Sequence, residues 1–459
     1  MLPPRPSWGL AVQLYATRSE TSWGIGDLGD LKRLGRWAAR ELGAGFLLLN
    51  PLHAVRPGLP QQASPYYPSS RRFRNPLYLR VDGAPSDLVE RGRALNQDRR
   101  IDRNAVCAVK MEALSGLWAR FEGHPAFEKY CAEQGEALDN FATFNARSGH
   151  AGANADADFH RWLQWLIDVQ LAEAAEEITL VSDLAVGFDP DGADAWEFQD
   201  VLASGVSIGA PPDAFNAAGQ DWGLPPFDPD ALRAANFRPF VETLRAAFRH
   251  AGGIRIDHVM GLFRLYWVPH GGAPADGSYV RYPSEELLDI VAAESRRAGA
   301  FVVGEDLGTV EEGVREELAA RQVLSYRVLW FEPGAPSSYP EQALAAVSTH
   351  DLPTIPGVWT GADPAAPALR ERLVEAAGVD VRATVDEAVE QTYAALAQAP
   401  SLLVAASLED ALGVTERPNQ PGTVNETNWS LALPLSLEEI ESDPRMRRIA
   451  GALSARTLG

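Results

Sequence analysis

The sequence predicts an α/β fold, a closed parallel (β/α)8 barrel with a large insertion after the second strand and no separate C-terminal β-domain. Three observations lead there. Short apolar, strand-like segments alternate with longer stretches whose apolar residues recur at helical spacing, the pattern of repeated βα units. The strand-like segments number eight. Three of them run straight into an acidic residue, in Arg255-Ile256-Asp257-His258, Gly304-Glu305-Asp306-Leu307-Gly308 and Thr349-His350-Asp351. In such a barrel the reacting groups come from the C-terminal ends of several strands, so acids far apart in sequence meet at one mouth.

In chain order the expected strands are Trp8 to Tyr15, Gly45 to Leu49, Ile178 to Leu184, Gly253 to Asp257, Phe301 to Glu305, Ser325 to Phe331, Ala345 to Thr349 and Leu402 to Ser407. Helical spacing fills intervals such as Leu28 to Leu42, Glu285 to Ala298 and Ala366 to Ala397, which favours a closed barrel over an open doubly wound sheet. The interval from His53 to Glu177 is far longer than a normal βα connection. It opens with a segment rich in Pro, Ser, Arg and Tyr (57–76) and continues as helices around Ala105 to Phe121, Phe127 to Gln134 and Phe159 to Glu176. The chain is therefore expected to be one barrel over 1–459, with 53–177 as an inserted subdomain walling one side of a cleft.

Composition restricts the partners. Of the 459 residues 46% are hydrophobic and 22% charged, and the formal net charge is −21, a field that repels phosphate backbones and anionic lipid. A neutral substrate fits better than nucleic acid or a membrane surface. Cys107 and Cys131 are too few for a disulfide framework and lack metal-ligand spacing. The N-terminal segment carries no basic run leading into a long apolar one, and no later run is long enough to span a bilayer. A soluble, cytoplasmic protein is expected.

Paired acids at a barrel mouth suit glycosidic chemistry. A retaining enzyme needs one carboxylate to attack the anomeric carbon and one carboxylic acid, about 5–5.5 Å away, to protonate the leaving oxygen and later deprotonate the acceptor. Asp257 suits the first role: Arg255, two positions earlier on the same strand, projects to the same side and holds it ionised and aimed. Glu305 ends an apolar strand between Gly304 and Gly308, which free the backbone to turn, and is the best general acid/base. His350 can donate to a sugar hydroxyl while Asp351 sets a negative charge near a developing oxocarbenium ion. Each group also has an ordinary structural explanation, as an ion pair, an acidic turn or a strand end. It is their joint placement that points to a site.

These strings belong to a wider set: Ser22-Trp23-Gly24-Ile25-Gly26-Asp27-Leu28-Gly29-Asp30-Leu31, Asn50-Pro51-Leu52-His53, Ser64-Pro65-Tyr66, Asn75-Pro76, Gly209-Ala210-Pro211-Pro212-Asp213, Gly219-Gln220-Asp221-Trp222-Gly223 and Asn419-Gln420-Pro421-Gly422-Thr423. Over almost its whole length the chain resembles the 4-α-glucanotransferases known as amylomaltases or disproportionating enzymes, glycoside hydrolase family 77, which fold as TIM barrels. The resemblance implies Asp257 as nucleophile, Glu305 as acid/base and Asp351 as transition-state stabiliser, with Arg255 and His350 as their immediate partners. It further implies sugar contacts from Tyr66 with Ser64 beside it, from Asp183 at the end of the third strand, from Asp213, Gln220 and Trp222 on a flexible loop over the acceptor side, and from Asn419. Leu352-Pro353-Thr354 after the His-Asp pair, and Phe331-Glu332-Pro333, depart from the shorter amylomaltases and resemble the longer bacterial maltodextrin-pathway type. That type usually carries an additional N-terminal β-domain region, whereas here the first strand begins near Trp8.

Transfer in place of hydrolysis demands that a sugar hydroxyl outcompete water for a covalent glucosyl-enzyme. Stacking by Trp222, Tyr66 and Phe331, and closure of the 209–223 loop, would supply positioning and exclusion. The expected reaction is retaining transfer of α-1,4-glucan segments between malto-oligosaccharides. An α-glucan hydrolase on the same barrel and a non-catalytic glucan-binding homologue are the alternatives. No P-loop, dinucleotide fingerprint or Cys/His cluster occurs, so neither cofactor nor metal is expected.

Overall fold

Eight parallel strands close on themselves: β1 (Ser7–Val12), β2 (Phe46–Leu49), β3 (Thr179–Leu184), β4 (Gly253–Ile256), β5 (Phe301–Gly304), β6 (Val323–Val328), β7 (Ala343–Ala346) and β8 (Leu403–Ser407), each paired with its sequence neighbours and β8 returning to β1. The structure is a computed structural model and describes residues 1–148, 154–212, 217–423 and 425–454. β2, β4, β5, β6 and β7 are buried along their whole length. That explains why the strands read as unbroken apolar runs without alternation: helices cover the outer face and packed side chains fill the inner one.

All eight predicted strands are present, three of them with displaced ends: β1 stops at Val12 and not Tyr15, because Leu14–Ala16 forms a 3-10 turn. β6 ends at Val328 and not Phe331, because the amides of Phe331 and Glu332 both turn back to the Val328 carbonyl. β7 begins and ends earlier than the expected Ala345 to Thr349. The helical pattern from Ala366 to Ala397 is two helices, Ala366–Ala377 and Val385–Leu396. Gly378, at φ +69°, ends the first in the left-handed conformation that favours glycine, and Thr384 with Glu387 forms a capping box that starts the second.

The first barrel helix, α1 (Leu28–Trp37), shows how the Ser22-to-Leu31 string folds. Asp27 accepts from the amides of Gly29 and Asp30, and Asp30 returns a bond to the Asp27 amide. Asp30 also takes the hydroxyls of Ser19 and Ser22 at 2.6 Å each. Arg80, from the insertion, pairs with both acids. These aspartates lock a helix start to the insertion and do not reach the cleft.

Between β2 and β3 the chain forms a short antiparallel pair (His53–Ala54 with Ser70–Arg74) and the helices Arg103–Trp118, Pro125–Arg147 and Ala157–Ala175. The last of these packs beside α1 and against Pro125–Arg147, so it serves as the barrel's own outer helix as well as the end of the insertion. Within Pro125–Arg147 the helix is broken at Gly135 (φ 54°, ψ −138°), next to the expected end at Gln134. Among the described residues no helix is long and apolar enough to cross a membrane.

Asp168 on Ala157–Ala175 ties the insertion to the barrel, accepting from Arg249 Nη2 at 2.7 Å and pairing with His250 Nε2 at 2.8 Å. Burial works to raise its pKa, but the Arg249 and His250 hydrogen bonds overcome that and hold the carboxyl at about 2. A depressed folded-state pKa stabilises the fold above the unfolded value near 4, and that contribution disappears as pH falls towards 2. Asp168→Asn should cost about 1–2 kcal/mol at pH 7, after allowance for solvent screening. Urea melts are expected to show the gap between variant and parent shrinking steadily from pH 5 to pH 2.

A four-stranded antiparallel sheet caps one side of the barrel mouth in the order Ser278–Arg281, Arg264–Pro269, Val206–Ala210, Gln220–Leu224. It is built from the connections after β3 and β4. Of the expected flexible loop over 209–223, residues 209–210 and 220–223 belong to strands of this sheet, and 213–216 lie outside the described residues.

Candidate active site

The floor of the site follows from strand register. Asp183 on β3 lies opposite Arg255 on β4, and their side chains share the inner face. Arg255 Nη1 donates to both Asp183 oxygens at 2.8 Å, and its Nη2 reaches Asp257 Oδ1 at 2.8 Å. One buried guanidinium thus bridges two carboxylates.

The next strand supplies the third acid. Gly304 lies opposite Ile256, so Glu305 stands beside Asp257 at the ends of neighbouring strands. Parallel strands are spaced roughly 4.8 Å apart. Glu305 Oε2 accepts from the His258 amide at 2.7 Å and Oε1 from the Leu307 amide at 2.9 Å. His258, whose amide this is, adopts φ +49°, a left-handed conformation uncommon outside glycine and of the sort concentrated at functional sites. Gly304 is needed for close approach and not for freedom to turn, since a Cβ there would lie 3.0–3.1 Å from Val259. Gly308, at φ +81°, makes the turn. Burial above all, then the charge of Asp257, raises the Glu305 pKa to about 7 against the pull of Arg255 and the two amides. Its neighbour Asp306 points the other way, fully buried, to the Ser325 hydroxyl, the Tyr326 amide (2.8 Å) and Arg315 (2.8 Å).

The opposite wall comes from β7 and two remote segments. Asn419 Nδ2 donates to Asp351 Oδ1 at 2.7 Å, and the His350 Nε2 lies 3.4 Å from the same oxygen. Burial favours the neutral acid at Asp351, but His350 and Asn419 outweigh it and hold the carboxyl below its ordinary range. Burial likewise lowers the His350 pKa, and Asp351 more than restores it. Tyr66 links the two halves: its hydroxyl donates to Asp183 at 2.6 Å and lies 2.8 Å from His350 Nδ1, with the rings stacked at 4.3 Å. Ser64 Oγ accepts from the Tyr66 amide at 3.2 Å and so sets the turn that presents the ring.

Together these groups border a cleft of about 1300 Å³ whose lining includes Asp257, Glu305, Asp351, His350, Tyr66, Ser64, Gln220, Trp222 and Asn419. Arg255 and Asp183 lie behind it as supports and border a smaller polar chamber further into the barrel. Trp222 presents its ring edge-on to His258 at 5.6 Å and donates to Gln220 at 3.1 Å. Asp213 lies outside the described residues. Phe331 is a correction: it is 47% exposed and does not line the cleft, because the chain turns at Val328 and sends Trp330 inward.

The structure adds groups that the sequence reading passed over. Trp429 stands 5.3 Å from both Tyr66 and His350 and backs their stack. It lies in an irregular segment where no periodicity marks it. Gln62, Tyr67, Val186, Leu224 and Gln420 also border the cleft. Of these, Tyr67 had a signal, as the second aromatic of Ser64-Pro65-Tyr66-Tyr67. Among the described residues no group of three or more His, Cys, Asp or Glu side chains is arranged to hold a metal ion.

A family model described as 4-alpha-glucanotransferase matches residues 12–156 and 149–436. The 4-alpha-glucanotransferase of Mycobacterium tuberculosis (strain H37Rv) is 42% identical over 99% of this chain and 76% of its own length. The crystal structure of amylomaltase from Corynebacterium glutamicum is similar at a TM-score of 0.90 and 35% identity, covering 98% of this chain and 75% of that one. Amylomaltase from Streptococcus agalactiae in complex with acarbose shares the fold at a TM-score of 0.83 and 18% identity, over 99% of both chains.

Proposed function

The chain belongs to glycoside hydrolase family 77, the 4-alpha-glucanotransferases, and from that membership and the cleft we propose that it moves α-1,4-glucan segments between malto-oligosaccharides through a covalent glycosyl-enzyme. The observation that carries this is the pair Asp257 and Glu305, side by side on adjacent strand ends and open to one cleft. A retaining mechanism needs two carboxyl groups about 5–5.5 Å apart, and neighbouring strand ends, with backbones roughly 4.8 Å apart, allow two side chains to reach that separation.

We assign the steps as follows. Asp257 attacks C1 of the donor glucose as the bond from C1 to the leaving 4-oxygen breaks, and Glu305 gives its proton to that oxygen. The 4-hydroxyl of an acceptor glucan then attacks C1, returning its proton to Glu305 and releasing Asp257. Two inversions restore the α configuration. Arg255, with Nη2 at 2.8 Å from Oδ1, holds the Asp257 carboxylate in place. Asp351, itself held ionised by His350 and Asn419, faces the positive charge that develops on the sugar ring. Tyr66, Trp222 and Trp429 offer ring faces and edges to glucose units, and Asp213 and Gln220 are assigned to the acceptor side. Residues 53–177 act as one wall of a single catalytic unit, a role supported by Gln62, Ser64, Tyr66 and Tyr67 at the cleft. The two free thiols suit a reducing compartment, so we place the enzyme in the cytoplasm.

Incubation with maltotriose, with products resolved by size, tests the proposal. Glucose together with a ladder of longer chains is expected, and glucose and maltose without a ladder would make the protein a hydrolase. The pH profile follows from Glu305. Only its protonated form can serve as the acid, so with a pKa of about 7 kcat/KM should fall above neutrality, approaching tenfold per pH unit. A flat profile to pH 9 would remove Glu305 from that role.

A further inference from the structure

A second, partly open cavity lies against the cleft and shares Val186, Asp257 and His258 with it. Its other walls are mostly apolar, including Ile208, Phe227, Leu232 and Leu262, and they also include the guanidinium-bearing Arg71. Arg71 is only 7% exposed. Its Nη1 donates to the carbonyls of Ala185 (3.1 Å) and Val186 (2.8 Å). Its Nε is buried with no hydrogen-bond partner, and among the described residues Nη2 donates to nothing.

The Arg71 guanidinium lies over the Phe188 ring, 5.1 Å to its centroid, a contact with its face and not with the edge formed by Nε and Nη2. Among the described residues no carboxylate stands within ion-pair distance of it. Asp194 accepts the Arg71 backbone amide through Oδ2 and is paired through Oδ1 with the neighbouring Arg72, which also takes Glu197 and Glu242. Asp257, the acid that borders this cavity, is committed to Arg255. The edge formed by Nε and Nη2 is the one that grips a carboxylate through two parallel bonds, and leaving it bare in a buried site is costly. Apolar walls around that edge describe a ligand with one anionic end and a compact hydrocarbon body.

We propose that this cavity is a binding site for small monocarboxylates with an apolar body, seated with the carboxylate on the Nε and Nη2 edge of Arg71. The guanidinium that would hold the ligand also holds the carbonyl of Val186, a cleft residue, so occupancy is linked to the cleft wall. Calorimetry and saturation-transfer NMR on the full chain test this without reference to turnover, using benzoate, benzyl alcohol (same body, no charge) and acetate (same charge, no body). Benzoate is expected to bind at least tenfold more tightly than either control. Arg71→Met should abolish the preference for benzoate over benzyl alcohol. Leu232→Phe, which fills the cavity and leaves Arg71 in place, should weaken both aromatic ligands at least fivefold and serves if the Arg71 variant fails to fold. Benzoate binding no tighter than the controls, or unchanged in a folded Arg71→Met or Leu232→Phe protein, would overturn the site.

Discussion

Asp257→Asn is expected to lower kcat/KM for maltotriose disproportionation by on the order of 10⁴-fold or more, with the melting temperature close to that of the parent. The amide keeps the size of the carboxylate and leaves an oxygen for Arg255 Nη2, now 2.8 Å from Asp257. Arg255 also keeps both bonds to Asp183, so no buried charge is stranded. What disappears is the group proposed to form the covalent intermediate. Glu305→Gln should cost less, about 10²- to 10⁴-fold, and the two variants can be told apart by the leaving group. Fluoride leaves α-maltosyl fluoride without needing a proton, so this donor should restore the first step to Glu305→Gln and not to Asp257→Asn. Mass spectrometry of the glycosyl-enzyme reads this directly. Fluoride release by Asp257→Asn at the parental rate would show that another residue is the nucleophile.

Why the acids could be read from sequence, and some of their partners could not, has a physical basis. A (β/α)8 barrel repeats one unit, so eight apolar runs separated by helical spacing define the architecture, and the period-two geometry of a strand foretells that Arg255 and Asp257 share a face. Asp183 became legible only with the resemblance, since its place opposite Arg255 is a matter of register between β3 and β4, which no single strand encodes. Trp429 is further still from legibility: it reaches Tyr66 and His350 from an irregular segment near the end of the chain. Phe331 erred in the other direction. An apolar run gives no sign of where its strand stops, and backbone turns to Val328 decided that Trp330, not Phe331, would be packed. The strands at 206–210 and 220–224 were hidden for a similar reason: Gly and Pro between them signalled a loop, while the strand that pairs with the first of them comes from residues 264–269, after another barrel strand.

Arg255→Met carries the largest expected loss of stability. The guanidinium is 3% exposed and touches Asp183 and Asp257 at 2.8 Å, so its removal leaves Asp183 buried with the Tyr66 hydroxyl as its remaining close donor. Breaking a buried pair from one side typically costs about 3–5 kcal/mol, most of it the penalty on the charge left behind. Chemical denaturation at pH 7 should show a loss of that size, and activity should fall with it because Asp257 loses the cation that positions it. The double variant Arg255→Met/Asp183→Asn separates the two effects. Neutralising the stranded acid should recover more than half of the lost stability, yet transfer should stay as low as in the single variant, since nothing has been returned to Asp257. Recovery of activity along with stability would mean that Arg255 acts only by holding the barrel together.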